Sequence, residues 1–153
     1  MVAWSAFEAA EPELAAAGHQ LFHQYGIGLA YLATVRQDGG PRLHPICIII
    51  AAGGLFCFLI PSPKRDDLER DGRYALHAFA PEDTNNEFYV TGRVTMVTDA
   101  ARRSEVAAAY RNTVQETGEL LELSLDRVML ARYKHRGDWP PTYTRWRADA
   151  ARP

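Results

Sequence analysis

Apolar and polar positions fall into short blocks along this chain, and the spacing within the blocks changes several times. Over residues 11–25, Leu14, Ala17, Leu21 and Phe22 recur at helical spacing in an alanine-rich stretch that Gly26 and Gly28 stop, which predicts an N-terminal helix. From 28 to 37 the residues turn β-branched and aromatic. Asp38-Gly39-Gly40-Pro41 is a strong turn signal and a second strand begins near Arg42, so these two strands make a hairpin. The apolar run 46–60 is broken at Ala51-Ala52-Gly53-Gly54. It is too short to cross a hydrocarbon core about 30 Å thick, and it reads as two strands of a further hairpin, the second buried on both faces.

Pro61 and Pro63 end that strand, and residues 64–71 have the charged pattern of a one-to-two-turn helix anchored by Leu68 and ended by Gly72. Strands are predicted at 73–79 and 87–98, on either side of the polar loop 81–86. Asp99 reads as the N-cap of a helix running to about Gln115, with Val106, Ala109 and Tyr110 as its apolar stripe. Residues 120–125 fit either a strand or a loose apolar turn, and 127–134 and 142–147 read as strands. The pattern is mainly β: six or seven strands with few, short helices, as in an antiparallel barrel with peripheral helices. At 153 residues without internal repeats, the expectation is one domain spanning residues 1–153.

Charge and cysteine content narrow the functional classes. The formal net charge is −2 with both signs interspersed, so no nucleic-acid partner is expected. The local clusters Arg132-Tyr133-Lys134-His135-Arg136 and Arg145-Trp146-Arg147 could form an aromatic-interleaved basic patch but also suit the flanks of strands. No basic segment followed by an apolar core opens the sequence, so the expected compartment is the cytoplasm, with no membrane partner. Cys47 and Cys57 lie on opposite arms of the second hairpin and are expected as buried thiols rather than a disulfide. His19 and His23 share a helix face but lack a carboxylate partner, so no metal site is expected.

The strongest chemical signal is order along the chain. Apolar strands form a wall, Ser62-Pro63-Lys64 supplies a hydroxyl and a cation at a corner, and a helix follows at once, so the corner can neutralise a phosphate at a helix start. A flavin or another phosphorylated ring is the natural ligand. Taken in order, the Thr34-Val35 strand, the Asp38-Gly39 turn, Pro41, His44-Pro45, the Ser62-Pro63-Lys64 corner, Leu68, Arg73-Tyr74-Ala75-Leu76 and Glu87-Phe88-Tyr89-Val90-Thr91-Gly92-Arg93-Val94 resemble the flavin-binding split barrels of the pyridoxamine 5′-phosphate oxidase-like superfamily. The resemblance covers residues 29–114, and the C-terminal strands more weakly.

The resemblance implies a six-stranded antiparallel split β-barrel, a homodimer, and FMN held in a groove at the subunit interface. It assigns Lys64 to the cofactor phosphate with Ser62 beside it. It assigns His44, Pro45 and Ile46 to the strand along the ring, and Phe58, Leu59 and Ile60 to the neighbouring strand, in contacts made largely by backbone and packing. Pro63, Leu43 and Ile48 stand where the oxidase proper carries basic side chains, and Glu87 where it has a ring-contacting glutamine. The sequence also stops soon after Trp146-Arg147, short of the segment that completes the vitamin site. The expectation is therefore an FMN-dependent oxidoreductase acting on a small molecule other than pyridoxamine phosphate. A deazaflavin coenzyme is the alternative, its longer anionic tail drawing on Arg36, Arg42, Lys64 and Arg65. A flavin- or haem-binding carrier or sensor without turnover is a third reading. Because a flavin supplies its own redox chemistry, no catalytic side chain is assigned. His44 and Glu87 could exchange protons at the ring but equally suit packing and a strand edge. Trp139, Tyr143 and Trp146 suit a ring lid or, alternatively, core and dimer seam.

Overall fold

A computed structural model describes residues 1–110 and 118–148. The chain opens with two helices, α1 (Trp4–Ala10) and α2 (Pro12–Phe22). They are divided at Glu11 because Pro12 cannot continue the first and suits the first turn of the second. Periodicity shows only α2, and the helix stops at Phe22, short of the expected residue 25. In seven residues α1 buries Trp4 and Phe7 alone, too few to establish a period.

Seven strands and two more helices follow: β1 (Gly28–Val35), β2 (Pro41–Ala51), β3 (Gly54–Leu59), α3 (Pro63–Arg70), β4 (Arg73–Ala78), β5 (Glu87–Met96), α4 (Ala100–Ala109), β6 (Glu119–Arg132) and β7 (Thr142–Arg147). The sheet order is β3-β2-β1-β4-β5-β6-β7, every pairing is antiparallel, and β3 also pairs with β6. That last pairing closes six strands into the expected barrel and leaves β7 as an added edge on β6. The ambiguous segment 120–125 and the strand expected at 127–134 are one continuous strand. Inward positions run Leu121, Leu123, Leu125 and then Val128, Leu130, because β6 slips one residue at Asp126 where β5 shifts register between Thr91 and Gly92. A Cβ on Gly92 would lie 1.7 Å from the Ser124 carbonyl oxygen, so this slip needs glycine.

The barrel interior is filled by Leu32, Ile48, Leu55, Leu76, Phe88, Val90 and Leu123, with α2 across one end. There Phe22 meets the Phe88 ring edge-on at 5.3 Å. Phe7 of α1 packs on Trp146 of β7 at 4.9 Å, which places Trp146 at the core, whereas Trp139 is 77% exposed. A separate cluster of Ile49, Phe56, Val106 and Leu120 seats α4 on the outside of β2 and β3. Asp99 caps α4 as expected, accepting from Arg102 N at 2.6 Å. The helix ends at Ala109, and the rest of its expected extent to 115 lies outside the described residues apart from Tyr110, its C-cap. Cys57 is buried in the barrel core while half-buried Cys47 belongs to the other face of β2, so the two thiols do not pair. Outward residues of β2, β1, β4 and β5 align in rows, Pro45-Tyr31-His77-Tyr89 and Leu43-Ala33-Ala75-Thr91, on a face where Tyr31 and Leu43 are exposed. Among the described residues no helix is long and apolar enough to cross a membrane.

Candidate functional site

β2 and β3 pair only near their turn, at Ile49–Phe56, Ile50–Leu55 and Ala51–Gly54. Beyond those pairs β3 continues along β6, from Phe56–Glu122 to Leu59–Glu119. His44-Pro45-Ile46 and Phe58-Leu59-Ile60 therefore lie on the two arms where the ladder has opened. The corner that carries Ser62 and Lys64 follows directly from the second arm.

At that corner Pro63 fixes the first helical φ of α3, and the Ser62 carbonyl accepts from Arg65 N at 2.9 Å and Asp66 N at 3.1 Å. The Ser62 hydroxyl donates back to Ile60 O at 2.9 Å instead of capping the helix. The start of α3 thus has no side-chain cap, and because Pro63 has no N–H and those of Arg65 and Asp66 go to Ser62 O, the Lys64 N–H is the first-turn donor left open to an acceptor. Lys64 is half-buried. Burial pushes the Cys57 thiol up to about 12, and the Lys64 ammonium acts against that rise. Arg65 Nε is buried and lies 3.1 Å from Glu69 Oε1 but outside hydrogen-bonding geometry, which leaves its hydrogen unshared. An uncapped helix start, a lysine and an orphaned guanidinium N–H in one turn form a donor set suited to a phosphate.

The ring-strand residues divide by face. Ile46 and Leu59 are core side chains, 6% and 3% exposed, so only their backbone can meet a ligand. Phe58 lies under Arg103 at 5.0 Å and beside Tyr110 at 5.6 Å, where it seats α4. Pro45 and Ile60 are exposed and His44 is half-buried.

Sequence reasoning missed the charge network that fixes α3. Asp67 is buried, and its carboxylate accepts from Thr34 Oγ1 at 2.9 Å, Arg42 Nε at 2.7 Å and Arg70 Nη2 at 3.2 Å. Burial alone would raise its pKa; the hydrogen bonds from Arg42, Thr34 and Arg70 outweigh that and hold it below the ordinary carboxylate value. The available signal was helical spacing: Lys64, Asp67 and Leu68 share one face of α3, and Leu68 faces the core. Of the arginines suited to a longer anionic tail, Arg42 is held by Asp67, Arg36 by Asp38 at 2.6 Å, and Arg65 lies between Glu69 and Glu119. Elsewhere, Glu87 accepts from Tyr133 Oη at 3.4 Å. His19 and His23 stack at 4.2 Å, and among the described residues no group of three His, Cys, Asp or Glu could hold a metal.

No family model and no curated protein matches this sequence. Solved structures do. A haem-binding protein from Mycobacterium smegmatis matches over 84% of this chain with TM-score 0.63 and 16% identity, and the chain spans 57% of that protein's length. A NimC/NimA family protein from Clostridium acetobutylicum matches over 85% of this chain and 94% of its own, with TM-score 0.61 and 14% identity. A pyridoxamine 5′-phosphate oxidase-related, FMN-binding protein from Nostoc punctiforme matches over 94% and 97%, with TM-score 0.55 and 13% identity. At these identities the likeness is one of fold, and the chain has the split β-barrel fold of the pyridoxamine 5′-phosphate oxidase-like proteins.

Proposed function

We propose that this chain binds FMN at the α3 corner and serves as an oxidoreductase for a small molecule other than pyridoxamine phosphate. The observation that carries the reading is the uncapped start of α3 with Lys64 beside it, directly after the β3 arm at the point where β2 and β3 part. Bound FMN would supply the hydride chemistry. The chain's part is to hold the phosphate with the Lys64 ammonium and backbone N–H at the start of α3, and to lay the opened β2 and β3 backbones along the ring. The FMN-binding description of the Nostoc punctiforme neighbour supports this choice. The ion pairs that engage Arg36 and Arg42 favour FMN over a deazaflavin with a longer anionic tail.

The active form in this proposal is a homodimer that covers the outer face around Tyr31 and Leu43, both exposed large apolar side chains. A second reading, a carrier without turnover, takes its support from the haem-binding neighbour.

The test is a titration of the purified protein with FMN, read by flavin absorbance and fluorescence. Saturable binding is expected, and Lys64→Ala weakens it at least tenfold, about 1.4 kcal/mol or more for a lost charge-assisted contact. Absence of binding in the wild type sinks the proposal, and unchanged affinity in the variant removes Lys64 from the site. Reduction of bound flavin by a nicotinamide nucleotide separates the oxidoreductase from the carrier, and light scattering of the 17.1 kDa chain reads the dimer directly.

A further inference from the structure

The opposite end of α3 carries a second concentration of positive charge that the flavin reading does not use. Arg73 and Arg93 are direct cross-strand partners on β4 and β5, and both are exposed. Like charges in that position repel and weaken a sheet. Arg70, at the last turn of α3, and Arg36, in the β1–β2 turn, border the same basin of about 500 Å³, whose wall includes one carboxylate, Asp71. Asp71 is taken by Arg73, with Oδ1 2.8 Å from its Nε. Arg36 and Arg70 are held through Asp38 and Asp67. Arg93 makes no hydrogen bond or ion pair among the described residues, but the Asp71 carboxylate, held low chiefly by its hydrogen bond from Arg73, also feels the Arg93 charge, so one carboxylate faces two guanidiniums. Four arginines therefore converge on one basin in a chain whose formal net charge is −2. The sheet carries a repulsive pair that packing does not require, since both side chains point away from the core.

We propose that this basin is an anion site, separate from the α3 start, that takes a small molecule bearing several phosphate or carboxylate groups, with Arg73 and Arg93 as its main ligands. A multiply charged anion between the two guanidiniums turns their repulsion into two charge-assisted contacts. Lys64 and Arg70 are six residues apart, roughly 9 Å along the helix axis, so a ligand in the basin does not occupy the flavin corner. The inference stands whether or not the chain binds FMN.

The experiment is isothermal titration of the full chain with tripolyphosphate and, separately, with citrate. The two arms distinguish a phosphate from a carboxylate ligand. Saturable binding of at least one is expected, weakening as salt is raised. Arg93→Glu should lower the affinity at least tenfold while raising the apo unfolding midpoint by about 1–3 °C, because it converts a repulsive cross-strand pair into an attractive one. Arg73→Ala should lower affinity as well and serves if Arg93→Glu is poorly folded, whereas Lys64→Ala should leave it within twofold. No saturable binding of either anion, binding that survives loss of both arginines, or binding lost only with Lys64 would overturn the proposal.

Discussion

Replacing Asp67 with asparagine keeps the shape of the side chain and removes the charge around which α3 is fixed. The carboxylate accepts from Arg42 Nε at 2.7 Å and Arg70 Nη2 at 3.2 Å, and an amide puts a donor where one of those arginines needs an acceptor. A hydrogen bond to a charged group contributes about 1.5–3 kcal/mol, and the Arg70 contact is discounted because its side chain is 38% exposed. The expected loss at pH 7 is about 3 kcal/mol, a fall in the unfolding midpoint of roughly 6–12 °C for a domain of this size. The pH dependence has a definite sign. The folded-state pKa of Asp67 lies below its unfolded value of about 3.9, so its contribution is complete above that value and disappears as pH falls through the folded pKa. The gap between wild type and Asp67→Asn should therefore be widest near neutrality and close in acid. Urea unfolding followed by circular dichroism from pH 7 to pH 2.5 measures it. A difference under 1 kcal/mol at pH 7, or one that stays constant into acid, would refute the account of Asp67 as a buried charged anchor.

Three further outcomes test the fold. The β2–β3 connection is a two-residue turn with positive φ at both Ala52 (49°) and Gly53 (75°), so Ala52→Asn, which tolerates that conformation better, should raise stability by about 0.5–1 kcal/mol in chemical denaturation. Gly92→Ala sets a methyl group against the Ser124 carbonyl and should cost about 3 kcal/mol, visible as a lowered thermal midpoint. Cys57 stays a neutral thiol until pH approaches about 12, so a thiol reagent at pH 8 should fail to label it in the native state and label it fully in urea.

The barrel was legible because its strands differ so clearly in burial. β3 is buried along nearly its whole length between β2 and β6, and its apolar run says so; β4 alternates in burial and in sequence, whereas β1 alternates in burial although its outward positions Leu29, Tyr31, Ala33 and Val35 are apolar too. The bulge at Asp126 was not legible, because a slip of one residue makes one strand look like two short pieces. The corner at Ser62-Pro63-Lys64 could be read locally, since a hydroxyl, a fixed φ and a cation at a helix start lie within three residues. Asp67 could not, because its partners Thr34 and Arg42 are 33 and 25 residues away in the chain and only the closure of β1 and β2 against α3 brings them to it. Arg73 and Arg93 likewise become neighbours only through the β4–β5 register.

The distribution of charge along α3 then acquires a single physical reading. Lys64 stands at its uncapped start, Asp67 is buried at its middle, and Arg70 closes its last turn beside Val35, whose carbonyl it also engages. The three are spaced three residues apart, so one helical stripe meets the barrel. Asp67 touches neither proposed ligand, yet it fixes the rotation of the helix that presents a cation at each end. If α3 is held as a unit, Asp67→Asn should weaken FMN and tripolyphosphate together even well below its own unfolding midpoint, whereas Lys64→Ala and Arg93→Glu each weaken one alone. If the two sites respond to Asp67→Asn independently, the helix is not the common support, and the ends of α3 are held by their separate partners: Glu119 of β6 through Arg65 at one end, Val35 through Arg70 at the other.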